Sequence, residues 1–121
     1  MLEQKVTVKK PKHRVRNIGD LFDTCIIERT LSDDERRAIR FGHQPMEMED
    51  KWLMYCEEDI LYVHRSWTGI CIYVIDLRDP AKLYVKVNRN PEEYRETSLE
   101  KDKKIAEMML DSLIIEHIRD I

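Results

Sequence analysis

The chain has 121 residues, 24 acidic and 21 basic side chains, and a formal net charge of −3. That length suits one domain able to bury a core without disulfide staples. Its longest apolar stretch, residues 70–75, is far short of the ~18–20 residues of a membrane span. Met1–Arg16 has no apolar core or small-residue cleavage site, so cytoplasmic residence is expected. Cys25, Cys56 and Cys71 are odd in number and form no CxxC pair, which suits reduced thiols serving as small buried hydrophobes rather than zinc ligands.

Charge divides the chain in two. Residues 1–16 carry Lys5, Lys9, Lys10, Lys12, Arg14 and Arg16 against Glu3 alone, a net +5; the remainder is net −8. The expected organisation is a basic arm over 1–16 and a single α+β domain over 17–121. Pro11 bars a helix in the arm, while the alternation of Leu2, Val6 and Val8 would let it join a sheet. Such an arm either contacts nucleic acid or folds back on the acidic body.

Two short helices are expected next. The first opens near Asn17 and Asp20, with Ile18, Leu21, Phe22, Cys25 and Ile26 at three- and four-residue spacing. The second opens on the capping box Ser32–Glu35, carries Ala38, Ile39 and Phe41 on its apolar side, and ends at Gly42. His43–Asp50 has no sustained period and reads as a loop.

Four β-branched and aromatic runs follow: Trp52–Cys56, Ile60–Ser66, Ile70–Leu77 and Leu83–Val87. The short gaps between them permit hairpins and forbid parallel crossovers, predicting a four-stranded antiparallel meander. The third run is apolar on both faces, which predicts a central strand covered twice. Thr97–Glu100 reads as a second capping box, opening a helix to about Ile121 that lays Ala106, Leu110, Leu113, His117 and Ile121 on the sheet. The fold class is therefore α+β, a four-stranded meander with two short N-terminal helices and a long C-terminal helix. Met108 and Ile115 fall on the back of that helix, which predicts an interface with a second copy (a homodimer) or another protein.

With three glycines, the chain has neither GxGxxG nor GxxxxGK[ST], and HExxH and GxSxG are also missing. Rossmann and P-loop nucleotide cradles are excluded, and no cofactor or metal is expected. The acidic clusters Glu47, Glu49, Asp50 and Glu57, Glu58, Asp59 read as solvated loop tips. The most polar interruption of the strands is His64-Arg65-Ser66, followed by Trp67-Thr68-Gly69. Trp52, His64, Arg65, Ser66 and Trp67 are the candidate ligand-binding set. A three-residue loop at Glu57–Asp59 would set Trp52 opposite His64, and a turn at Trp67–Gly69 would set Ile72 on its other side. His64 and Ser66 then share a face with Trp52 and Tyr62, while Arg65 and Trp67 point away. His64 has the pKa of a general base, but no carboxylate is spaced to orient it, so a sheet histidine packed against Trp52 and hydrogen-bonded locally is favoured. Arg65 either grips an anion or pairs with nearby acids. His117 reads as a core-edge histidine.

Arg29, Arg36, Arg37 and Arg40 around the two short helices suggest a helix-turn-helix, against which stand Asp33, Asp34 and Glu35 in the second helix's first turn. Nucleic-acid binding would then rest on the arm.

The stretch from Lys51-Trp52 through Tyr62 and His64-Arg65-Ser66-Trp67-Thr68-Gly69 to Tyr73 resembles a signature of small uncharacterised bacterial proteins. The resemblance covers about 23 of the 121 residues. It implies no established activity and transfers no catalytic residue. Related stretches occur beside ADP-ribose-processing domains, which implies a nucleotide-like ligand at the His64–Gly69 corner. The expected function is a small non-catalytic binding or regulatory protein acting through protein contacts. The alternatives are an anionic-ligand or hydrolytic site at that corner, and nucleic-acid binding through the arm.

Overall fold

The computed structural model describes residues 7–12 and 15–121. Among them, β1 (Phe22–Ile27), β2 (Trp52–Glu57), β3 (Ile60–Arg65), β4 (Cys71–Asp76) and β5 (Leu83–Asn88) form one antiparallel sheet in the order β1-β5-β4-β3-β2. Two helices, α1 (Asp33–Arg40) and α2 (Leu99–His117), complete the architecture, with a single 3-10 turn, Ile118–Asp120, after α2. The α+β class and the C-terminal helix match the sequence reading; five strands and two helices replace the expected four and three.

The element read as the first helix is β1. Its side chains are apolar on both faces, and that doubling imitates a three- and four-residue period. Cys25 and Ile27 turn towards the core, opposite Val85 and Leu83, while Phe22, Thr24 and Ile26 lie on the other face. Satisfying the free edge of β5 with a ladder decides the matter. A helix-turn-helix therefore does not form, and three of the four arginines assigned to it, Arg29, Arg36 and Arg40, bond within the chain. Arg36 donates to the carbonyls of Leu77 and Asp79. Arg40 pairs with Asp59 at 2.7 Å and Arg29 with Asp111 at 2.7 Å.

The β2–β3 register also differs from the expectation. Glu58 and Asp59 both take left-handed backbones, φ 52° and 61°, and form a two-residue loop that leaves Glu57 paired with Ile60. Two positive φ angles match the right-handed strand twist in such a loop. Trp52 consequently faces Arg65, and His64 faces Leu53. A bulge then places Cys71, not Ile72, opposite His64.

β4 is the central strand, as expected, and the helices cover one face of the sheet. α1 carries the anticipated capping box in full: Glu35 N–H donates to Ser32 Oγ at 3.1 Å and Ser32 N–H to Glu35 Oε1 at 2.9 Å. It ends at Gly42, whose φ is +73°. A Cβ there would collide with the Met54 carbonyl and press on Val8 Cβ, so only glycine fits between helix, strand and arm. α2 is capped differently from the expectation. Ser98 is its N-cap, accepting from Lys101 N–H, and Glu96 receives the N–H groups of Thr97 and Ser98. Ala106, Met109, Leu110, Leu113 and His117 are buried, whereas Ile121 lies past the helix end and is 41% exposed.

The arm is anchored at two points: Val8 N–H donates to Phe41 O at the end of α1 at 2.8 Å, and Arg16 N–H to Gly69 O at 2.9 Å. It therefore folds back on the body. The expected pairing of Leu2 and Val6 lies outside the described residues, as do His13 and Arg14. Among the described residues no helix is long and apolar enough to cross a membrane.

One polar cluster ties these layers together. Asp102, wholly buried in the first turn of α2, accepts from Tyr73 OH at 2.7 Å, Tyr94 OH at 2.6 Å and Arg89 Nη2 at 2.6 Å. Arg89 also reaches Asp23 on β1 at 2.7 Å and the carbonyl of Glu96 at 3.1 Å. Burial, with Asp102 beside it, pushes the Tyr94 hydroxyl up to about 12, and Tyr73 rises for the same reasons. Asp102→Ala leaves the Tyr73 and Tyr94 hydroxyls, 2.9 Å apart, with only each other and so one donor unmet, and removes one of Arg89's two carboxylates. Urea denaturation of that variant is expected to show a loss of about 3–5 kcal/mol.

Candidate functional site

The five residues singled out in the sequence divide into an internal strut and an exposed corner. His64 is the strut. Gly69 O accepts from Nδ1 at 2.9 Å, which leaves Nε2 to accept from Tyr55 OH at 3.0 Å, and the Tyr55 ring stacks on the imidazole at 5.3 Å. Burial lowers its pKa against the opposing bond to Gly69, and the charge of Lys10 adds to the lowering. At neutral pH it is an uncharged ring with both nitrogens engaged. Its task is to hold the turn after β3, where Gly69 takes φ +74° and donates to Arg65 O at 2.9 Å.

The turn that His64 holds presents Ser66 and Trp67, beside Arg65 at the end of β3 and its partner Trp52 on β2. Ser66 Oγ donates to Asp50 O at 2.7 Å, and its N–H to Lys51 O at 2.8 Å, which fastens the turn to the loop before β2. The Arg65 guanidinium lies 4.8 Å from the Trp52 ring centroid, a consequence of the register that pairs them. Trp67 is 71% exposed, yet its Nε1–H donates to Met48 O at 3.0 Å. Met46 and Met48, in the same loop, are exposed at 83% and 73%. Trp52, Arg65, Ser66 and Trp67 are thus brought to one corner with Met48, and His64 lies behind them. The expected sharing of a face by His64 and Trp52 does not occur, because the two-residue hairpin moves the register by one.

A groove of about 310 Å³ adjoins the corner, lined by His43, Trp52, Met108, Ser112 and Glu116 among others. Met108 and Ile115 are exposed on the back of α2 as anticipated, at 66% and 76%, and Met108 forms one lip of the groove. Composition gives no hint of His43, whose Nε2 lies 2.6 Å from Asp50 Oδ2 and whose Nδ1 lies 3.2 Å from Glu116 Oε2. Its spacing to Glu116 spans nearly the whole domain, and only the fold joins them.

Burial raises Cys56 and Cys71 to about 12, so both are un-ionised thiols at neutral pH. No group of three metal-ligating side chains converges among the described residues. What the corner offers is a rigid indole flanked by adaptable methionine side chains, beside an apolar groove. Anchors of that kind supply most of the energy in protein interfaces. No protein-family model matches the chain, and no curated protein or solved structure is detectably similar to it.

Burial disfavours the charged form of His43, but bonds to Asp50 and Glu116 outweigh this and raise its pKa above 6.5. The stabilisation is complete below the unfolded value of about 6.5 and is lost as pH climbs through the raised one. Amide exchange in the 43–50 loop should therefore open more readily, after correction for intrinsic rates, at pH 8.5 than at pH 6. His43→Gln should remove that pH dependence.

Proposed function

We propose that this chain is a small binding or regulatory protein without catalytic activity of its own, which engages a protein partner through the Trp67–Met48 corner and the adjoining groove. The supporting observation is Trp67 itself: a large ring held in place by the Nε1–Met48 bond while 71% exposed. Fixing the ring before binding reduces the entropy lost on association. Met46, Met48 and Met108 add apolar area that reshapes to a partner without strain.

The alternative ligand site at the His64–Gly69 corner, with the nucleotide-like ligand implied by the Lys51–Tyr73 resemblance, is less well supported because His64 has no nitrogen left to offer. A homodimer is the second reading, favoured by the exposure of Met108 and Ile115 two helical turns apart on α2.

Trp67→Glu combined with Met48→Glu is expected to leave the thermal midpoint within a few degrees of the parent. Affinity capture from extracts of the source cells should then lose a partner that the parent retains. Equal recovery by parent and variant would place the contact elsewhere. Sedimentation of the parent beside Met108→Lys/Ile115→Lys addresses the homodimer: a dimer mass that halves in the variant supports it, and a monomer mass in both removes it.

A further inference from the structure

The face of the sheet opposite the helices holds a second concavity that the proposed partner contact does not use. It is half-open, about 970 Å³ in volume, and within the size range of small-molecule sites. Two cross-strand rows make its floor. One runs Thr24, Lys86, Val74, Tyr62 and the other Ile26, Tyr84, Asp76, Ile60, each residue directly opposite the next in the register. The wall comes from Lys10 of the arm and from Asn17 and Ile18 just after it. Ile26 and Tyr84 remain exposed at 43% and 44%, so the floor presents apolar surface to water.

Its charges are polarised. At one end Asp76 and Arg78 neutralise each other through two bonds of 3.0 and 2.7 Å. Towards the other end Lys86 leans over the Phe22 ring, its Nζ 4.8 Å from the centroid, and Lys10 stands close enough to His64 to act on its charge. Neither lysine has a carboxylate within ion-pair distance among the described residues. The cavity therefore carries a net +2 in a chain of net −3.

We infer that the trough binds an amphiphilic carboxylate: an apolar chain lying over Val74, Ile60 and Ile26, with its acid held between Lys86 and Lys10. An apolar floor recognises the chain by burial, and the unpaired ammonium groups select the charged head.

The probe is decanoate below its micellar concentration, with decanol and acetate as controls, titrated into the full-length isotope-labelled chain. Decanoate is expected to shift the amide resonances of Thr24, Val74 and Lys86 saturably, and acetate to leave them in place. Lys10→Gln/Lys86→Gln should weaken decanoate about tenfold or more without altering the weak binding of decanol. Val74→Asp should abolish both, with its folding checked by the retained dispersion of α2 resonances. Decanol binding as tightly as decanoate would overturn the assignment of the acid. Decanoate leaving those resonances unmoved would overturn the site. Shifts that follow protein concentration alone would make a second copy the occupant and overturn it equally. None of these results bears on capture through Trp67, so the two readings fail separately.

Discussion

The carboxylate of Asp102 enters the protein in the first turn of α2 and meets groups from three other segments: Tyr73 on the central strand, Arg89 just after β5, and Tyr94 in the connection to the helix. A buried carboxylate is tolerable only when its lone pairs are met by donors, and here two hydroxyls and a guanidinium meet them. Arg89 extends the arrangement to Asp23, which binds the edge strand β1 into the same cluster. The apolar stripe of α2 would cover a sheet at many angles, because burial is non-directional. Hydrogen bonds are not, and this cluster specifies which end of α2 meets which strand.

With that end fixed, the far end of α2 is brought to Gly42, where His117 Nε2 donates to the glycine carbonyl at 2.7 Å and the ring packs on Phe41. Placing the helix there sets Glu116 beside His43, and Met108 beside Trp52 across the groove. The groove beside the Trp67 corner thus depends on a cluster at the opposite end of the helix. The same commitment of both helices to one face leaves the other face covered only by the arm. The trough is what remains uncovered.

Much of the fold was legible because local chemistry and global packing agree. Ser32 and Glu35 form the capping box that their spacing announces, and the four central runs are strands within a residue or two of the expected limits. β1 was misread because Phe22, Cys25 and Ile26 are apolar on both faces, and only the open edge of β5 distinguishes strand from helix. The hairpin register was misread because Glu58 and Asp59 lack the Asn-Gly signature of a two-residue loop, although they adopt its backbone. Of the candidate residues, His64 is a locally bonded sheet histidine as expected but stacks on Tyr55 rather than on Trp52, and Met108 and Ile115 are exposed as their helical phase requires. Met48, His43 and the trough were invisible. Each depends on segments far apart in the chain, and no periodicity records such a meeting.

Met108 and Met109 are neighbours in the sequence of α2 that differ in burial, the first 66% exposed and the second 6%. Limited peroxide oxidation of the folded chain, resolved by peptide mass spectrometry, reads that contrast and the state of the corner together. With α2 docked as described, Met46, Met48 and Met108 oxidise readily, while Met54 and Met109 oxidise only as the protein unfolds. Oxidation of Met109 at the rate of Met108 would contradict the docking of the helix. Protection of Met46 and Met48 in the isolated monomer would contradict the open corner on which the proposed function stands.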